Sequence, residues 1–141
     1  MRYAARFYEE DDGWLAEIAD VGGGGVMTQG DTLDECREMA RDAVTEVLLA
    51  RFDMDMDPNP SPEALLEGWE WVYPFQSAWT ALQVRAARKA KGFTIAQAAA
   101  ACKVAGPTYI RWEDPYKSNA TIKTLEKVAH AFGRQLEIAI R

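Results

Sequence analysis

Metal ligands and cross-linking residues are scarce in this chain of 141 residues, which holds one histidine and two cysteines. One His and two Cys furnish no plausible zinc cage. Cys36 and Cys102 lie far apart inside helical patterns, so they read as buried thiols in a reducing cytoplasm and not as a disulfide framework. No apolar run approaches the ~20 residues that cross a bilayer. The opening "MRYAARFYEEDDGW" also lacks the apolar stretch of a signal peptide. The expectation is a cytoplasmic protein with no membrane segment and no cofactor. Hydrophobic residues at 48% and charged residues at 27% are a globular composition, of a length for one ordinary domain or two small ones.

Positive charge is missing from the first half. Residues 1–72 carry 5 Lys+Arg against 18 Asp+Glu, a net of −13, whereas residues 73–141 carry 11 against 4, a net of +7. The overall −6 therefore conceals a segregation that points to two domains with different partners. An acidic domain attracts a basic protein, and a basic one suits a polyanion. The expected domains are 1–73, which includes a Pro-rich loop at 57–63, and 74–141.

In the acidic half, "RYAARFYEE" alternates, with Tyr3, Ala5 and Phe7 on one face. "EDDG" is turn chemistry and "WLAEIAD" alternates again, which predicts an antiparallel hairpin around residues 11–13. A short third strand is expected at 26–29. Thr32 opens "TLDE", a capping box, and Leu33, Cys36, Ala40, Ala43, Val44, Val47 and Leu48 then form one apolar helical stripe to about Phe52. Pro58, Pro60 and Pro62 spell a loop, and "WEWVY" is a candidate fourth strand. The order is β-β-β-α-β, a helix layered on a sheet.

Two local features invite chemistry. "VGGGGV" is glycine-rich, but it leads into a strand with no Lys-Ser/Thr behind it, so it reads as a strand entrance and not a phosphate loop. Asp11, Asp12, Glu17 and Asp20 have oxygens that suit Mg²⁺. Asp11 and Asp12 fall on a turn, however, and nothing in the spacing makes the four converge, which favours a solvated acidic face over a hydrolase of the ribonuclease-H type.

The basic half is helical. Pro74 and Ser77 open a helix that Gly92 stops, and Thr94 caps a short alanine-rich helix to about Cys102. "KVAGPTYIRWE" is a turn and a further helix with Pro107 in its first turn. "TIKTLEKVAHAFG" follows as an amphipathic helix whose apolar side holds Ile122, Leu125, Val128, Ala129 and Phe132. "QLEIAIR" alternates Leu136, Ile138 and Ile140, which predicts a terminal strand. Short helix, tight turn and second helix make a helix-turn-helix. Ala99, Val104, Tyr109, "RWE" and "LEKVAHAFG" resemble the Cro/repressor-type (XRE-like) family, with three departures: Ile95 for a frequent Gln, Lys103 for the usual turn Gly, and Ala105 for the usual capping Ser. The resemblance places the stretch "VAGPTYIRWEDP", Val104 to Pro115, in the DNA major groove, with Thr108, Ile110 and Arg111 outward and Tyr109 and Trp112 inward. Arg111 is the candidate for a guanine edge or a phosphate, and Lys103, Lys117 and Asn119 are candidates for phosphate alone.

Tyr3, Gly13, "TQGDT" at residues 28–32 and Glu35, followed by the Pro-rich loop and the helix-turn-helix, resemble HicB-type antitoxins over nearly the whole chain. The resemblance implies an α+β protein: an N-terminal partial ribonuclease-H-like domain without enzyme activity, then an all-α DNA-binding domain with the terminal strand. It also implies a partner, a small basic HicA-type ribonuclease toxin, and Asp11, Asp12 and Asp20 are the candidate contacts for it. The expected assembly is a homodimer or tetramer joined through the C-terminal half, repressing its own promoter from operator DNA. The alternative is a ligand-responsive helix-turn-helix regulator with Trp14, Trp69 and Trp71 around a small-molecule pocket.

Overall fold

Asp11 and Asp12 make a two-residue turn between β1 (Tyr3–Glu10) and β2 (Gly13–Ile18) in a computed structural model that describes residues 1–19, 24–58 and 61–141. Glu10 faces Gly13 across the turn, and Asp11 takes the left-handed conformation at φ 47°. Asp tolerates that region better than most side chains. β3 (Val26–Gly30) pairs with β2, and β4 (Glu70–Val72) pairs with β1, both antiparallel. The sheet order is β3-β2-β1-β4.

The register sorts the strands into two faces, because cross-strand partners share a side. Tyr3, Ala5, Ala16 and Ile18 lie on the face that α1 (Leu33–Asp53) covers with Cys36, Ala40, Val44 and Leu48, all buried. Thr32 caps α1 by accepting from the Glu35 amide at 3.1 Å, as expected. The Glu35 carboxylate, however, reaches the amide of Asp31 at 3.0 Å and not that of Thr32. Thr45 is buried although polar. Its hydroxyl donates to the Arg41 carbonyl at 2.8 Å and accepts from the Phe75 amide at 3.0 Å, which satisfies it without water.

Two compact units divide the chain, Met1–Gln76 and Ser77–Arg141. The β-β-β-α-β elements occupy the first. In the second, α2 (Gln76–Lys91) supplies Val84, α3 (Ile95–Ala101) supplies Ala98 and Ala99, α4 (Gly106–Glu113) supplies Tyr109, and α5 (Ile122–Ala131) supplies Val128. With Cys102 and Phe132 these form one core, and the alanines let the helices approach closely. Gly92 at φ 77° and Gly133 at φ 69° follow α2 and α5 in the left-handed conformation that ends helices. The α+β class expected from the sequence holds.

Two further expectations fail. Residues 134–141 form no strand: Ile138 and Ile140 are 57% and 99% exposed. A strand exists only by hydrogen bonding to a neighbour, and among the described residues "QLEIAIR" has none. Ile122, expected on the apolar side of α5, is 58% exposed at the first helical position.

Candidate nucleic-acid interface

The turn between α3 and α4 is built by local chemistry. Thr94 and Gln97 form a complete capping box at the start of α3, each side chain meeting the other's backbone amide, at 3.1 and 2.9 Å. At its end Cys102 is buried, and Lys103 takes the left-handed conformation at φ 58°. The Val104 amide then donates to the Ala99 carbonyl at 3.0 Å. This closes the turn that sets α4 across α3. α4 begins after Ala105, which provides no side-chain cap, and Pro107 in its first turn has no amide that needs one.

The buried side of α4 is anchored twice. Tyr109 is fully buried, edge-on to Trp112 at 5.9 Å and to Phe132 at 6.4 Å. Burial first, then the neighbouring Glu113 carboxylate, pushes the Tyr109 phenol far above its ordinary pKa, so it stays neutral. Its hydroxyl has no hydrogen-bond partner of normal geometry. Glu113, buried with it, is held by both arms of Arg88, Nε at 2.7 Å and Nη2 at 3.1 Å. The remaining Arg88 nitrogen donates to the Phe93 carbonyl at 2.9 Å. The only acid of α4 is therefore turned inward and neutralised, which leaves the exposed side of the helix without negative charge.

Thr108, Ile110 and Arg111 lie on that exposed side. Lys103 is exposed in the turn before α4, and Lys117 and Asn119 are exposed in the loop after it. Asp114 shapes that loop by accepting from the Tyr116 amide at 2.9 Å. The candidates thus sit on the helix and immediately before and after it in the chain.

The strain at Lys103 yields a prediction with opposite signs for stability and binding. A left-handed conformation costs a side-chain-bearing residue roughly 1–2 kcal/mol that glycine escapes. Lys103→Gly should therefore stabilise the helix-turn-helix unit by about 1 kcal/mol in urea titrations, and reduce the salt slope of DNA binding by about 1. Unchanged stability would show that the turn holds no strain, and an unchanged slope that Lys103 meets no phosphate.

The first unit presents the opposite charge. Residues 1–72 contain no lysine, and every arginine there is engaged. Arg6 pairs with Glu17, and Arg37 bonds Glu70 at 2.9 and 3.2 Å. Arg2 stacks on Trp71 at 3.9 Å, Arg41 stacks on Phe75 at 4.2 Å, and Arg51 donates to the Asp57 carbonyl at 2.7 Å. Asp11 and Asp12 are exposed at the hairpin tip, while Asp20 lies outside the described residues. A longer acidic ridge, not expected from the sequence, lies on α1: Glu35, Glu38, Asp42 and Glu46 follow each other at three- and four-residue spacing along its exposed side. Its signal was plain in "DECREMARDAVTE". Trp14 and Trp71 fall on opposite faces of the sheet, because Trp14 pairs with Gly30 on the helix side and Trp71 with Ala4 on the other. They line no common pocket. The described residues contain no group of three or more His, Cys, Asp or Glu placed to hold a metal, and no helix long and apolar enough to cross a membrane.

A capped short helix, a turn through a left-handed residue and a second helix with an uncharged-to-cationic outer side define a helix-turn-helix domain of the XRE type. The family model described as helix-turn-helix matches residues 84–138, a domain of DNA-binding regulators. No curated protein matches the chain.

Proposed function

We propose that the chain is a DNA-binding repressor whose first unit also neutralises a small, basic, RNA-cleaving protein, in the manner of a HicB-type antitoxin facing a HicA-type toxin. The observation that carries the DNA half is α4 itself: its acid is locked inward on Arg88, and Thr108, Ile110 and Arg111 are left outward between exposed Lys103 and Lys117. The toxin half is supported by the first unit's charge. All five of its arginines are tied to acids, rings or backbone, so a net of −13 is offered to any cationic surface. A surface built for RNA phosphates is such a partner, and complementary fields speed its capture. Asp11 and Asp12 at the hairpin tip and the α1 ridge are the contacts we assign to it.

Repressors of this architecture bind two half-sites as dimers. The tail "QLEIAIR" exposes Ile138 and Ile140, which pairing of this alternating segment with a second copy would cover. Deleting residues 135–141 should therefore give a monomer in sedimentation. An oligomer that survives the deletion places the interface elsewhere.

Arg111→Ala separates the two activities. DNA affinity should fall by roughly 1–3 kcal/mol, the worth of one bidentate base contact, while co-purification with a small basic protein co-expressed from an adjacent reading frame should stay intact. Loss of both in a folded variant, or failure to retain any such basic protein, contradicts the division of labour.

A further inference from the structure

Ile110 is 52% exposed on a helix whose other large apolar side chains, Tyr109 and Trp112, are packed into or against the core. An aliphatic side chain left in water at the centre of an interaction surface gains free energy only when a partner covers it. What α4 can offer that partner is limited. Its outward side holds no Asn or Gln, so it lacks the bidentate amide that reads adenine.

The helical spacing divides the exposed side into two ridges. Pro107 and Ile110, three residues apart, form an apolar ridge with no side-chain donor or acceptor. Thr108 and Arg111, also three apart, form a polar ridge beside it. In the major groove the one apolar feature that a base pair presents is the thymine 5-methyl group. We propose that Ile110, seated beside Pro107, is a specificity-determining residue that reads thymine methyls, while Arg111 reads the hydrogen-bonding edge of a neighbouring base. The proposal rests on the DNA-binding reading above and adds to it which chemical group α4 selects.

The test begins with the full-length chain selecting duplexes from a random-sequence pool. Each thymidine of the enriched site is then replaced by deoxyuridine, which removes the methyl and leaves every hydrogen bond. At one or more positions per half-site affinity should drop about fourfold, the equivalent of one buried methyl-sized group. Ile110→Ala should bind the thymidine duplex correspondingly more weakly and lose the discrimination. Ile110→Val, which keeps a branched side chain, and Arg111→Ala, which leaves the apolar ridge whole, should both retain it. Because Ile110 is half exposed, circular dichroism should find the variants folded. An enriched site at which no deoxyuridine weakens binding overturns the proposal and leaves DNA binding standing, and so does equal discrimination by Ile110→Ala. Failure to enrich any sequence overturns the DNA-binding reading itself, and this inference with it.

Discussion

Arg88→Ala should destabilise the helix-turn-helix unit by about 3–5 kcal/mol, the usual consequence of leaving one member of a buried ion pair without its partner. Arg88 and Glu113 are only 14% and 7% exposed at their side chains. The substitution strands the Glu113 carboxylate beside Tyr109 and also removes the donor to the Phe93 carbonyl. The pair joins α2 to the last turn of α4, so its removal should also loosen the helix that carries Thr108, Ile110 and Arg111, and DNA affinity should fall along with the urea midpoint. Arg88→Met with Glu113→Leu restores apolar packing without a stranded charge and should recover most of the stability. A single substitution costing less than about 1 kcal/mol would mean that the pair behaves as if it were exposed.

Gly30→Ala should unfold or severely weaken the first unit. A Cβ at that position would lie 2.5 Å from the Cys36 amide nitrogen and 2.9 Å from its Cα. Those are backbone atoms in the first turn of α1, which cannot rotate away as a side-chain tip can. Either β3 or the start of α1 must shift, and the Thr32 cap lies in that same turn. The expected loss is about 3 kcal/mol, the upper end of what overpacking costs. Cys36 reports it directly. Its thiol is fully buried, and that burial, followed by the nearby Glu35 charge, raises its pKa, so native labelling by a disulfide reagent should be slow. Gly30→Ala should make it fast. Labelling as slow as in the parent protein would show that the contact relaxes without cost.

Features written in neighbouring residues were legible in advance. Alternation in "RYAARFYEE" and "WLAEIAD", the Thr32 and Thr94 caps and the Gly92 stop each depend on contacts within a few positions, and each appears where its chemistry requires. Tyr109 turns inward and Ile110 outward because a helical period leaves little choice once the core side is known. What escaped depends on distant residues or on a second molecule. The Arg88–Glu113 clamp joins positions 25 apart, and no periodicity announces it. Thr45 is a polar residue in an apolar stripe until the Phe75 amide, 30 positions away, explains its burial. The terminal "QLEIAIR" has the alternation of a strand but no pairing strand among the described residues, and alternation without a partner makes no strand. The Glu35–Glu46 ridge is legible in its three- and four-residue spacing, although its charges are spread over a helix and less dense than those of "EEDDG".

The most direct test is the salt dependence of binding between the full-length chain and a duplex selected by it, followed by fluorescence anisotropy. As salt is raised, binding should weaken linearly in log–log form with a slope of about −2 for each bound subunit, from Lys103 and Lys117 at ~0.9 per phosphate neutralised. A chain that leaves duplex DNA unbound at low salt, or binds it with no dependence on salt, contradicts the assignment of α4 and its flanking cations to DNA.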